Sequence, residues 1–233
     1  ILGETVEEIA HEKICALKKN MLCISINHPQ SIKDVFTKHA QLVKSQIRYI
    51  ENHNNNHFIK LNGKHQSENE LLAINTIKKL TDFTINDNNI AEGLSSVIWP
   101  GRIQKIHNAP TVYYDVAHNH ASFSSLCNYI ETLKGTKTLV VALQKHKNLH
   151  SVLHKIESTF DQIIVTQTNI RNFVSAKDLA TIFQFDKTQI IDNTLEAIKV
   201  YKSADKTDII IIAGSHYLGP IISKEFKISF ENI

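Results

Sequence analysis

The sequence predicts an α/β fold: a mostly parallel sheet with helices on both faces. Two observations carry this. From residue 111 onward, short continuous apolar runs alternate with helical stretches, and a strand that is apolar at every position is buried on both sides. Before that point, helices and polar loops surround one apolar run, residues 22–26. The first block reads as a mix of helices and polar loops and the second as a doubly covered sheet.

In the first block, Thr5 and Glu8 make a T-x-x-E capping box. They open a helix on which Val6, Ile9, Ala10, Lys13 and Leu17 share one face. Leu22 to Ile26 reads as a buried strand. Residues 34–50 read as one helix, on the spacing of Val35, Leu42, Val43 and Ile47. Asn52 to His57 is a polar loop, and Phe58 to Leu61 a short strand ending at Gly63. Ser67 and Glu70 make a second capping box, opening a helix to about Leu80. Asn86 caps a further helix through Ile90, Ala91 and Leu94, stopped by the stretch from Gly93 to Pro100.

The second block alternates. Strands are predicted at Thr111–Val116, Lys137–Leu143, Gln162–Thr166, Gln189–Ile191 and Asp208–Ala213. Helices follow, the first ending near Leu133, then Asn148–Thr159, Ser175–Phe183 and Thr194–Ser203. In such sheets ligands bind at the C-terminal ends of the strands. Asp115 and His118 follow the first of these strands, Lys147 the second and Ser215 the last.

Composition bounds the function. Lys+Arg exceed Asp+Glu by 26 − 23 = 3 in 233 residues, too little to argue for a nucleic-acid partner. Mean hydropathy is −0.18. No apolar run approaches the ~18 residues of a membrane span, so no membrane association is expected. Cys15, Cys23 and Cys127 are odd in number and widely spaced, which suggests a reducing compartment, read as the cytoplasm. No CxxC is present for zinc, and no signal peptide is recognisable. Glycine is scarce, 7 of 233 residues against a usual ~7%, so Gly-rich phosphate loops are nearly ruled out.

Several residues stand out chemically. Lys13 on an apolar seam would be pushed toward its neutral amine, a nucleophile, a base or a site for CO2 addition; a snorkelling lysine at a helix edge is the alternative. Asn69, four residues before Ala73, faces the packed side at a helix start, where an anion or polar ring could sit, or it satisfies local backbone. Trp99-Pro100-Gly101-Arg102 is a stiff turn whose arginine could hold a phosphate bidentately, or be an ordinary surface arginine. Asp115 and His118 share one switch-point turn, where an aspartate can take ribose hydroxyls and a histidine an anionic substrate; an N-cap for the next helix is the alternative. Ser215, with the amides after Gly214, could hold a carboxylate or cap the following helix.

Taken in order, these segments resemble the folylpolyglutamate synthase/dihydrofolate synthase family of the Mur-ligase superfamily. The matching pieces are Leu2-Gly3-x-Thr5, Ile9-Ala10-x-Glu12-Lys13, Gly63-x-His65-Gln66-x-x-Asn69 and Ile90-x-x-Gly93-Leu94. They continue with Trp99-Pro100-Gly101-Arg102-x-Gln104, Asp115-x-Ala117-His118-Asn119 and Gly214-Ser215-x-Tyr217-Leu218. The arginine turn and the aspartate–histidine turn are the most specific.

The resemblance implies an ATP-dependent ligase that adds L-glutamate to folate or dihydropteroate through an acyl phosphate, with Mg2+ as cofactor. It implies roles as well. Lys13 matches a carbamylated lysine that helps hold magnesium and serves catalysis. Asn69, Arg102 and Asp115 match ATP contacts. His118 matches a catalytic and glutamate-contacting position, joined by Ser215, Tyr217 and, near an Asp-Lys-Asp loop, Lys147. It further implies that residues 1–100 are the C-terminal part of the central ATP-binding domain and 101–233 the glutamate-binding domain.

The departures are specific. No G-x-x-x-x-G-K-[ST] loop occurs in the chain, so the P-loop half is expected upstream or on a second polypeptide. Cys15 and Val116 stand where the family has glycine, and the Asp-Lys-Asp loop reads His146-Lys147-Asn148. A non-catalytic nucleotide- or glutamate-binding remnant is therefore the competing expectation. A Mur-type ligase for cell-wall precursors fits the arginine turn less well.

Overall fold

The computed structural model describes residues 3, 5–50, 59–145, 147, 149–169, 172–183 and 186–230. The chain divides into two compact units, Ile1–Ile59 with His65–Ser96, and Lys60–Lys64 with Val97–Ile233.

In the first unit α1 (Val6–Ile14) begins at the expected box. Thr5 Oγ1 accepts from Glu8 N at 3.1 Å, and Glu8 Oε2 accepts from Thr5 N at 3.2 Å. Its buried side, however, is Ala10 and Ile14, with Leu17 just beyond, packed on Ile32, Phe36 and Ala40 of α2 (Gln30–Leu42). Val6 is 66% exposed, Ile9 is 37% exposed, and Lys13 is exposed with them. The apolar seam predicted for Lys13 is thus corrected: the face meeting α2 is turned from the one that begins at Val6.

β1 (Leu22–Ile26) falls where expected. The single helix over 34–50 does not form. α2 ends at Leu42, Lys44 turns through φ 54°, and β2 (Gln46–Ile50) pairs parallel with β1. Gln46 to Tyr49 alternates in burial with period two before the buried Ile50, and the short loop hid that change of period. The predicted loop at Asn52–His57 and the first residue of the predicted strand at Phe58 lie outside the described residues; residues 59–61 are not a strand.

α3 (His65–Ile77) starts two residues before the predicted Ser67 cap. Glu70, instead of closing a capping box, is buried and accepts the Ile59 N–H at 3.1 Å. α4 (Asp87–Ser96) is capped by Asn86, whose side chain and that of Asn89 exchange bonds with each other's backbone N–H. It passes Gly93 and ends at Ser96, inside the stretch from Gly93 to Pro100 expected to stop it.

The second unit is a six-stranded sheet in the order β3-β4-β8-β5-β6-β7. Its strands are β3 (Gln104–Asn108), β4 (Thr111–Tyr114), β5 (Lys137–Val141), β6 (Gln162–Gln167), β7 (Thr188–Asn193) and β8 (Ile209–Ala213). All pairings are parallel except the β3–β4 hairpin. β3 was not foreseen: Gln-Lys-Ile-His-Asn is a polar edge strand with little apolar signature.

Side-chain alternation sorts the core into two faces. Tyr113, Leu139, Val141, Ile163, Val165, Ile209 and Ile211 pack with α5 (His120–Ile130), α6 (Leu153–Thr159) and α7 (Ala176–Ile182). Val112, Tyr114, Val140, Ile164, Ile210 and Ile212 pack with α8 (Thr194–Ile198) and α9 (Gly219–Phe226). The predicted doubly covered sheet is what forms. It sets the site, because the connections leaving β4 and β5 go to one face and the connection leaving β8, which lies between them, goes to the other. The chain thus reverses at β8, where open α/β sheets take ligands.

Candidate functional site

The crevice at the C-terminal end of β8 is built by a backbone contact only glycine allows. Gly214 has φ +118°, and a Cβ there would lie 2.0 Å from the Ala142 carbonyl oxygen beyond β5. Ser215 follows, buried, and its Oγ accepts the Tyr217 N–H at 3.2 Å. The Ser215 carbonyl takes the Tyr114 hydroxyl at 3.2 Å, tying the end of β4 to the end of β8. Burial holds the Tyr114 phenol protonated, far above its ordinary range.

Asp115 ends β4 with almost no exposure. Its Oδ2 accepts the Ile103 N–H at 2.8 Å and its Oδ1 the Ala117 N–H at 2.7 Å. Burial pushes its pKa up to about 6, although both N–H bonds and the nearby Arg102 charge favour the carboxylate. So Asp115 fastens the Arg102 turn to the Asp115–His118 turn. That turn is clamped elsewhere too. Gly101 N–H donates to Gln104 Oε1 at 3.1 Å, Val116 N–H donates to the Gly101 carbonyl at 2.9 Å, and Asn62 Nδ2 donates to the Ile103 carbonyl at 2.9 Å. Arg102 itself is exposed.

His118 Nδ1 lies 2.8 Å from the Val116 carbonyl. A carbonyl only accepts, so Nδ1 carries the proton and, in the neutral ring, Nε2 does not. Asn119, next along, caps α5 through Ser122. Tyr217 is partly exposed, edge-on to Phe173 with centroids 6.2 Å apart. Lys147 is half-buried after β5; His146 and Asn148, the rest of its predicted loop, lie outside the described residues.

Asp115, His118, Ser215 and Tyr217 therefore follow two adjacent parallel strands, β4 and β8. Arg102 joins them through Ile103 and Asp115. Lys13 and Asn69 belong to the other unit. Asn69 is exposed, not on the packed side; its Nδ2 donates to Gln66 Oε1 at 2.9 Å, and Gln66 and Glu70 hold the buried positions of that helix turn. Among the described residues no three His, Cys, Asp or Glu side chains gather as a metal-binding group.

Two contributors escaped the sequence. Ile103 sits at φ 44° although buried and β-branched, a strained conformation that the Asp115 and Asn62 bonds hold in place. No local signal marks an isoleucine for that role. Tyr114 had a weak signal, the second of two tyrosines that end the Thr-Val-Tyr-Tyr strand.

Residues 101–216 match the family profile described as Mur ligase, glutamate ligase domain. Within that superfamily the chain is a relative of the folylpolyglutamate/dihydrofolate synthases. It is 26% identical to the dihydrofolate synthase/folylpolyglutamate synthase of Bacillus subtilis, over 97% of this chain and 60% of that protein. It is 25% identical to the dihydrofolate synthetase of Saccharomyces cerevisiae, over 93% of this chain and 60% of that protein.

Solved structures share the fold. Mycobacterium tuberculosis folylpolyglutamate synthase complexed with ADP superimposes with TM-score 0.87 at 19% identity, over 98% of this chain and 61% of that one. The bifunctional Yersinia pestis synthase complexed with AMPPNP and Mn ion gives 0.80 at 20% identity, over 98% and 58%. The chain thus spans about three fifths of the length of these relatives. Among the described residues no helix is long and apolar enough to cross a membrane.

Proposed function

We propose that this chain is the glutamate-accepting portion of an ATP-dependent carboxylate–amine ligase, joining L-glutamate to folate or dihydropteroate in the cytoplasm. The crevice carries the reading: two turns bearing Asp115, His118 and Ser215 stand side by side where the sheet reverses. In this reading residues 1–100 end the central ATP-binding domain and 101–233 are the glutamate-binding domain. The division of the chain into compact units near Ser96 and Val97 supports that boundary.

ATP, when bound, supplies the phosphoryl group that activates the acceptor carboxylate. The exposed Arg102 guanidinium, on a turn fixed by Gly101, Ile103 and Asp115, faces phosphate. His118, whose Nδ1–H is given to the Val116 carbonyl, presents Nε2 to take the proton that the glutamate ammonium must lose before its amine attacks. Lys147 and the Ser215 hydroxyl proton hold glutamate carboxylates, and Tyr217 walls the pocket. Lys13 would contribute to magnesium as a carbamate, a hard oxygen ligand formed by CO2 adding to its neutral amine; the other ligands would come from residues beyond these. The triphosphate cradle is not in these residues, so the chain by itself gives no turnover.

The test supplies a P-loop-bearing N-terminal half in trans and follows incorporation of labelled glutamate with ATP and folate or dihydropteroate. Incorporation well above that of either half alone is expected. None above that background overturns the reading.

One observation favours a second reading, a binding module without turnover. The two Asp115 oxygens and Ser215 Oγ already serve backbone N–H groups, and Val116 replaces a glycine. Calorimetry with ADP and L-glutamate, positive where incorporation fails, would favour that module.

A further inference from the structure

The Ser215 turn is held by a phenol. The Tyr114 hydroxyl donates to the Ser215 carbonyl at 3.2 Å and faces the His216 carbonyl at 3.3 Å. One hydroxyl carries one proton, so it is shared between the two carbonyls or serves them in turn. Such a bond is firm only where water is kept out, because a hydrated phenol has other partners. Tyr114 is 2% exposed, and the residue that covers it has no part in the ligase reading.

That residue is Phe230. Its ring packs on the Tyr114 ring with centroids 5.8 Å apart at 33°. Both close on Gly219, where a Cβ would lie 3.6 Å from the Tyr114 hydroxyl and 3.7 Å from the Phe230 ring. The end of α9 brings the chain back to this place through Ser223 alone. The Ile228 N–H donates to the Ser223 carbonyl at 3.1 Å, and the Ser223 hydroxyl donates to the Ile228 carbonyl at 2.6 Å. Ile228 and Phe230 then pack on the sheet face that carries Tyr114. Phe230 is half-buried and borders an open cleft of about 890 Å³. It is therefore the solvent-side ring of the pair, and Tyr114 the covered one.

We infer that Phe230 is a positioning residue. It shields the Tyr114 hydroxyl and through it fixes the Ser215 and His216 carbonyls, so that the Ser215 hydroxyl and the Tyr217 side chain are presented in one arrangement. That these groups then meet glutamate rests on the ligase reading; that Phe230 fixes their turn does not.

Amide hydrogen exchange on the full chain reads the turn directly, because the Tyr217 N–H donates to Ser215 Oγ at 3.2 Å and the Leu218 N–H to the Ser215 carbonyl at 3.3 Å. In Phe230→Ala these two amides should exchange faster by about tenfold or more, beyond any change at the β5 amides. Phe230→Leu keeps an apolar cover and should return them to within about threefold of the unsubstituted chain. Tyr114→Phe should accelerate them as Phe230→Ala does. The double variant should add no more than about twofold, because the two residues act in series. Phe226→Leu removes an aromatic from the same helix, against Tyr201 with centroids 4.7 Å apart, and should leave the two amides unchanged. With a P-loop-bearing half supplied in trans, Phe230→Ala should raise KM for L-glutamate about fivefold or more and hold kcat within about twofold.

The inference is overturned if Tyr217 and Leu218 exchange no faster than β5 in Phe230→Ala, if Phe226→Leu accelerates them equally, or if the effects of Phe230→Ala and Tyr114→Phe multiply. Incorporation with an unmoved KM also overturns it. Exchange that responds as expected, in a chain that incorporates no glutamate even unsubstituted, supports the positioning of the turn and rejects the ligase reading alone.

Discussion

The two units solve the same problem, burying a parallel strand pair, with unequal means. In the second, β8 reads Ile-Ile-Ile-Ile-Ala and every one of its residues is buried, because β4 and β5 flank it and helices cover both faces. In the first, β1 and β2 form a sheet of two strands, and only Ser25 and Ile50 within them are buried. Leu42 and Phe83 stand 79% and 64% exposed there. Continuous apolar runs go with two-sided burial, and half-covered strands keep a mixed pattern. The same contrast places chemistry: the rigid sheet can hold a strained Ile103 and a buried Asp115, which need surroundings that over-determine them.

Substitutions can break or sharpen that contrast. The largest effect should come from Gly214→Ala, which drives a methyl into the Ala142 carbonyl and forces an alanine to φ +118°. Overpacking and strain together should cost about 2–6 kcal/mol, read as loss of the cooperative denaturant transition of the second unit. A near-normal transition would mean that the β5–β8 contact yields, and that this sheet is no stiffer than the small one.

Next is the pH dependence set by Asp115. Its folded pKa of about 6 lies above its ordinary 3.8. Between roughly pH 4 and 6 the folded chain therefore holds a proton that the unfolded chain has lost, and stability falls as pH rises, by up to about 3 kcal/mol. Asp115→Asn should abolish that fall while losing one of the two backbone bonds, so its unfolding midpoint should be nearly flat over that window. An unchanged slope in the variant would assign the fall to other groups.

The smallest effect should fall in the first unit and have the opposite sign. Gly93 lies inside α4 with nothing within 4 Å of where a Cβ would be. Gly93→Ala should stabilise by about 0.5–1 kcal/mol through helix propensity alone. Melting curves should show a small gain in the first unit and none in the second; destabilisation would mean that the space beside α4 is needed.

Much of the fold was legible because its signals are local. The Thr5–Glu8 box, the Asn86 cap and the apolar runs of β4, β5, β6 and β8 state their structure within a few residues. The misreadings share one cause. The 34–50 stretch has apolar residues at helical intervals but a left-handed Lys44 in the middle; β3 is polar; Ser67 and Glu70 match a box whose glutamate is drawn to Ile59. In each, a distant partner outweighed a local preference.

The site divides the same way. From the sequence alone came the chain order of the turns, the end of the strand each follows, and the family they resemble. Which faces meet was settled only by tertiary packing: that Lys13 lies in solvent and not on a seam, that Asp115 spends both oxygens on backbone N–H groups, and that Tyr114 ties β4 to Ser215. Spacing along a chain fixes which residues can share an element. Desolvation and hydrogen-bond geometry depend on what other elements bring to them, and no local pattern encodes that.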